Sequence, residues 1–245
     1  MTLRPQLGAL LLCLLASGCG SLLHSTARPE QSYYLRAPAA AAVHASGADA
    51  TGANATAAHA VGTDAAPAPL SGMSLRVAHP NASPGLESPH IMLVQSDYRM
   101  NFLAGARWAA SAPEVIESLV VQTLRASGEW TSVADPSSPF PSDFLLQIGV
   151  RRFEADYTGG GEAPVVHVVL DCIIGRREGR EVIATFVASG EANAAANRVS
   201  AVVGAFQQAT DAALGSLAQQ VAQAARVAQQ RAAQNGENPV PSMKR

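Results

Sequence analysis

The sequence predicts an α+β fold in which a mixed, largely antiparallel sheet carries two helices packed on it. Three observations predict it. From Asp143 the apolar residues recur at alternate positions, the pattern of a strand with one buried face, and two further apolar runs, Val165–Ile174 and Glu181–Ala188, follow it across polar turns. Before Ala126 and again after Asn197 the apolar spacing lengthens to three and four, as on a helix with one buried stripe. The longest apolar stretch, Leu7 to Ala16, falls far short of the roughly 20 residues of a membrane-spanning helix, so these elements must bury one another.

Taken in order, a short strand signal at Tyr33-Tyr34-Leu35-Arg36 is followed by a tract from Ala37 to Gly72 made almost wholly of Ala, Gly, Thr, Pro and His. This tract lacks the branched and aromatic side chains that offset a chain entropy of about 1–2 kcal/mol per residue, and disorder is expected. The folded domain is expected over 73–234, starting with the strand Ser74-Leu75-Arg76-Val77. His90–Val94 and Tyr98–Leu103 flank Gln95-Ser96-Asp97, a connection of hairpin length. Ser111-Ala112-Pro113-Glu114 reads as a capping box. The helix it opens runs to about Ala126 with Ile116, Leu119, Val120, Thr123 and Leu124 on its buried face, and Gly128 suits its end.

The meander comes next. In its first strand Phe144, Leu146, Ile148 and Val150 alternate with Leu145, Gln147, Gly149 and Arg151. Thr158–Ala163 turns the chain into Val165–Ile174, and Arg176–Arg180 turns it into Glu181–Ala188. The glycine triplet at 159–161 lies between two strands, without the helix start and lysine of a phosphate loop, and reads as a hairpin turn. A last helix is expected from near Asn197 toward Ala233, with Val199, Val203, Phe206, Thr210, Ala213, Leu217 and Val221 on one face. Its later part, Gln219–Gln234, is mostly Ala and Gln and is expected to be a solvated extension. Residues 235–245 read as a disordered tail.

Composition narrows the function. A net charge of -2, with charged residues at 15%, offers no basic field for nucleic acid. The N-terminus is more informative: Arg4, an apolar core and the small residues Ala16-Ser17-Gly18 before Cys19 have the layout of a cleaved signal segment, 1–18. Leu15-Ala16-Ser17-Gly18-Cys19 resembles the lipobox of bacterial lipoproteins, in which the cysteine is lipidated and becomes the new N-terminus. Of the three cysteines, Cys13 then leaves with the signal and Cys19 carries lipid, so Cys172 is left as a buried strand thiol with no intrachain partner. With Gly20 beside the anchor, the expected location is the outer membrane, facing the periplasm. Residues 19–36 would be anchor and short strand, and 37–72 a tether spanning about 30–36 Å root-mean-square as a flexible coil.

With the lipidated cysteine, three further motifs carry a resemblance: Tyr33-Tyr34-Leu35, Ala106-Arg107-Trp108-Ala109 before the capped helix, and Ala205-Phe206-Gln207-Gln208-Ala209 in the final helix. In that order, around a strand meander, the chain resembles the ABC-type transport auxiliary lipoproteins, which include the paraquat-inducible lipoprotein C group. It departs from their pattern in the long Ala37–Gly72 insertion. The resemblance implies a docking component for an MCE-domain periplasmic protein and an inner-membrane ABC transporter, in a system moving phospholipid or related lipids. Arg107 and Trp108 are the candidate partner surface, and Trp108 as a core anchor beside a snorkelling arginine is the alternative.

Catalytic constellations do not assemble in the sequence, which has no Gly-x-Ser-x-Gly and no His-Glu-x-x-His. His24, His44 and His59 lie in anchor-proximal or linker sequence, and His167 alternates within a strand. No cofactor and no metal are expected, nor an enzyme. A structural or assembly lipoprotein for an outer-membrane machine is the other reading. Co-purification with a barrel protein would favour it, and with an MCE-domain protein, docking.

Overall fold

The computed structural model describes residues 30–39, 70–97 and 99–236. In chain order these form β1 (Gln31–Tyr33), β2 (Leu70–Val77), β3 (Asn81–Ala82), β4 (His90–Val94), β5 (Met100–Trp108), α1 (Ala112–Ala126), β6 (Trp130–Ala134), β7 (Phe144–Asp156), β8 (Val165–Arg176), β9 (Glu181–Asn193) and α2 (Val199–Gly236). The expectations for the signal segment, for Cys13, Cys19, His24, His44 and His59, for most of the Ala37–Gly72 tract and for the tail past Gly236 lie outside the described residues.

The strands form one mixed sheet of nine, with β7 as its spine. On one side β7 pairs antiparallel with β8 along its whole length, and β8 pairs likewise with β9, so the three runs form the expected antiparallel meander. On the other side the chain from 75 to 94 lays β2, β3 and β4 in parallel against successive stretches of β7: Leu75 opposite Phe144, Asn81 opposite Gly149, Met92 opposite Glu154. Prolines 80, 84 and 89 fall between these short strands, where the missing N–H breaks no ladder. Beyond β2 lies β6, in parallel; beyond β4 lies β5, antiparallel; and β1 closes that edge parallel to β5. The sheet is mixed because hairpin neighbours pair antiparallel whereas segments returning from a distance join in parallel.

Along β7 the residues Phe144, Leu146, Ile148, Val150 and Phe153 are buried, with a register shift between Val150 and Arg152 that keeps Phe153 on the inner face. Helix α1 starts at the expected capping box, where the Ser111 backbone N–H and hydroxyl donate to the Glu114 carboxylate (3.0 and 2.8 Å) and hold it below the usual carboxylate range. Its expected face, Ile116, Leu119, Val120, Thr123 and Leu124, is buried. Gly128 follows the helix with a positive φ of 67°.

Four expectations are corrected. β2 begins at Leu70, inside the low-complexity tract, because Leu70 is buried and paired with Trp130 of β6, a strand the sequence reading missed. β5 continues past Leu103 to Trp108, so Arg107 and Trp108 lie in a strand rather than in a lead-in to the helix. The buried face of α2 also carries Val202, which is fully enclosed, whereas Val203 is only partly buried against the core. The Ala/Gln-rich part of α2 is no free extension: Val221, Ala222, Ala225 and Ala228 are buried, and Arg226 pairs with Glu129. Alanine, read as having little to bury, instead lets the helix lie close to the sheet.

Candidate functional site

The three motifs that stand far apart in the chain meet at one corner of the sheet. β1 lies alongside the end of β5, with Gln31 opposite Ala106, Ser32 opposite Arg107 and Tyr33 opposite Trp108. The Ala109 N–H donates to the Tyr33 carbonyl (2.9 Å), and the Trp108 N–H to the Pro89 carbonyl (2.7 Å). Below this ladder the Trp108 ring, 1% exposed, stands 5.0 Å from Phe206 at 78° and 5.5 Å from Phe153, while Phe153 and Phe206 are 5.0 Å apart.

After β1 the chain buries Leu35 and reaches Arg36, which α2 grips by its backbone. The Arg36 N–H donates to Gln207 Oε1 (2.9 Å), and Gln207 Nε2 donates to the Arg36 carbonyl (2.8 Å). Consecutive helix residues point about 100° apart, so Phe206 can enter the core while its neighbour Gln207 reaches sideways to the strap. Gln207 Nε2 also donates to Asp211 Oδ1 one turn on (2.8 Å), and burial raises the Asp211 carboxyl against that hydrogen bond. The Arg36 guanidinium lies 5.6 Å over the exposed Tyr34 ring and donates to its hydroxyl.

Of the two residues proposed from sequence as one partner surface, the structure places only Arg107 within reach of solvent, half-buried and in register between Ser32 and His90. Trp108 is a core residue with no surface to offer. Neighbours in a strand point to opposite faces, so two consecutive residues of β5 cannot share a patch. Gln207 belongs to the Ala205–Ala209 motif, but its partner Arg36 lies 171 residues away and no local signal joins them.

The expected buried thiol is observed: Cys172 is fully enclosed, and burial, then the nearby Asp171 charge, push it up to about 12. His167 sits on the outer sheet face between Glu191 (3.3 Å) and Asp156 (3.8 Å). Burial pushes the Asp156 carboxyl up, but hydrogen bonds from Thr158 and Arg152 outweigh it and hold the group below the usual range. Among the described residues no three His, Cys, Asp or Glu side chains gather as a metal site, and no helix is long and apolar enough to cross a membrane.

Fold and corner together define a class of protein: an α+β domain whose N-terminal segment is woven into its own sheet and locked to its last helix. The chain belongs to the family of ABC-type transport auxiliary lipoprotein components, whose family model matches residues 55–234. Among solved structures it is similar to protein XCC0632 from Xanthomonas campestris, of family DUF330, at 28% identity and a TM-score of 0.62, over 66% of this chain and 90% of that one. More distant likenesses are the PelC L103M dodecamer from Paraburkholderia phytofirmans (16% identity, TM-score 0.36, 62% and 92% covered) and lipoprotein GNA1162 from Neisseria meningitidis (15%, 0.32, 54% and 96%). At that level nothing passes from them to this chain. No curated protein matches it.

The clamp makes a local prediction. Gln207→Ala removes both hydrogen bonds to the Arg36 backbone, a loss of about 1–3 kcal/mol felt mainly where the strap opens. The Arg36 amide should exchange its hydrogen roughly tenfold faster or more, at about 1.4 kcal/mol per decade, while core amides of β7 and β8 change little. Unchanged exchange at Arg36 would show that the clamp does not hold the strap.

Proposed function

We propose that this chain is an outer-membrane lipoprotein, anchored through Cys19 and facing the periplasm, that docks an MCE-domain protein and an inner-membrane ABC transporter in the movement of phospholipid or related lipids between two membranes. One observation carries the docking role: β1 is part of the sheet and is followed by the Gln207 clamp. Only residues 19–30 then separate the anchor from the folded domain, a contour of roughly 40 Å when fully extended.

This revises how the domain is tethered. The tract between Ala39 and Leu70 leaves and re-enters the same domain, so its length adds nothing to the reach from the membrane. A short link and a locked first strand suit a component that stays near its membrane and meets a partner arriving there. The partner surface is assigned to the outer side of the β1–β5 edge, with Arg107 in it and Trp108 supporting it from beneath.

Two measurements test this. Cys19→Ser should give a soluble or uncleaved protein that no longer incorporates labelled palmitate; a variant that still labels means that the lipid sits elsewhere. Affinity capture of the full chain from membranes should bring down an MCE-domain protein and the transporter. Arg107→Glu should weaken that capture in a variant that still unfolds cooperatively. Capture of a barrel protein instead would turn the reading to outer-membrane assembly.

A further inference from the structure

At the β8–β9 end of the sheet, the face away from the core holds a cavity of about 440 Å³, within the range of roughly 300–1,000 Å³ usual for small-molecule sites. Leu145, Ile173 and Val182 supply apolar surface, with Val182 63% and Ile173 37% exposed, and Gly175 adds bare backbone beside them. Arg177 and Arg180, in the turn between β8 and β9, and Glu181 complete its charged lining together with Arg176. Neither Arg177 nor Arg180 is in an ion pair with any described residue, whereas Arg151 and Arg152 on the same face are neutralised by Asp171 and by Glu154 and Asp156.

The turn is also held against local preference. Arg180 has φ of +53°, directly after Gly179 at +74°, and it is the one non-glycine in the left-handed region among the described residues. Glycine adopts that conformation freely and arginine does not, and such outliers gather at functional sites. Unpaired guanidinium groups present forked donors to an oxyanion. The apolar surface behind them gains from burial only if the ligand also carries an apolar chain. A free inorganic anion would leave Ile173 and Val182 wet, and a neutral apolar molecule would not answer the two arginines.

We propose that this cavity binds a single anionic amphiphile, its charged head between Arg177 and Arg180 and its first methylenes on Leu145, Ile173 and Val182. The inference stands on this surface and not on the docking reading. The test reads no protein partner, so the two fail separately.

The full chain, purified in a non-ionic detergent, is photolabelled with an alkyl phosphate bearing a diazirine on its chain, or with the alkyl alcohol of the same length. The adducts are then mapped by mass spectrometry. The phosphate probe should label peptides containing Ile173 or Val182 at least tenfold more than the alcohol, and Arg177→Gln with Arg180→Gln should bring it down to the alcohol's level. Val182→Asn, an exposed change, should lower labelling several-fold, and it decides the matter if the double variant does not fold. Equal labelling by both probes, full competition by an equal concentration of inorganic phosphate, adducts confined to other surfaces, or labelling undiminished by the folded variants would each overturn the proposal.

Discussion

Gly190→Ala is expected to push α2 off the sheet and to cost several kcal/mol. A Cβ built at Gly190 meets the Ala209 carbonyl oxygen at 1.9 Å and the Ala213 nitrogen at 2.9 Å, both backbone atoms of α2 that no rotamer change can move. Overpacking typically costs about 1–3 kcal/mol when side chains can give way, and here they cannot. Gly204→Ala is the matched control: it lies on the same helix with nothing within 4 Å of the added methyl, and should stabilise by about 0.5–1 kcal/mol through helix propensity. Urea unfolding of both variants checks the pair. A Gly190→Ala protein as stable as the parent would mean that the helix does not cross β9 this closely.

Trp108→Ala is expected to cost about 3–5 kcal/mol, the range for emptying a buried aromatic site. The indole is packed by Phe153 and Phe206, so the loss opens a cavity where β5, β7 and α2 meet and removes the support beneath β1. Trp108→Phe should cost well under half as much, because Nε1 has no hydrogen-bond partner among the described residues and an aromatic ring is retained. Equilibrium unfolding in urea gives both values, and hydrogen exchange at Tyr33 and Arg36 should quicken with the first variant before global unfolding. Equal costs for Ala and Phe would show that the indole is not a packing anchor.

Legibility in the sequence follows how local each determinant is. The meander could be read because a two-residue period writes the buried face of β7 directly into the chain, and two apolar runs follow it across short polar turns. Helix α1 could be read because Ser111 and Glu114 satisfy each other within one turn. β3, with two residues, and β6, an ordinary WTSVA, carry no period of their own; they are strands because β7 and β2 offer them an edge. Leu70 was unreadable for the same reason, a single buried leucine at the end of a tract with no other core-former. The late part of α2 was misread because burial was judged by side-chain size. The structure reverses that weighting: Ala222, Ala225 and Ala228 are buried although each side chain is a single methyl.

The site divides in the same way. Motifs around Tyr33, Arg107 and Phe206 could be singled out one by one, and family membership with them, but not the fact that they touch. By itself, then, the sequence determined the elements whose signals repeat or cap within a few residues: the meander and the two helices. Only the tertiary structure decided that β1 is locked into the domain, that Trp108 faces inward while Arg107 faces out, and that Arg177 and Arg180, in no ion pair with a described residue, share a cavity with Leu145 at the β8–β9 turn. Those features rest on contacts between residues tens to more than a hundred positions apart, and such pairings are settled by which sheet edges and helix faces remain to be covered once the local elements have formed.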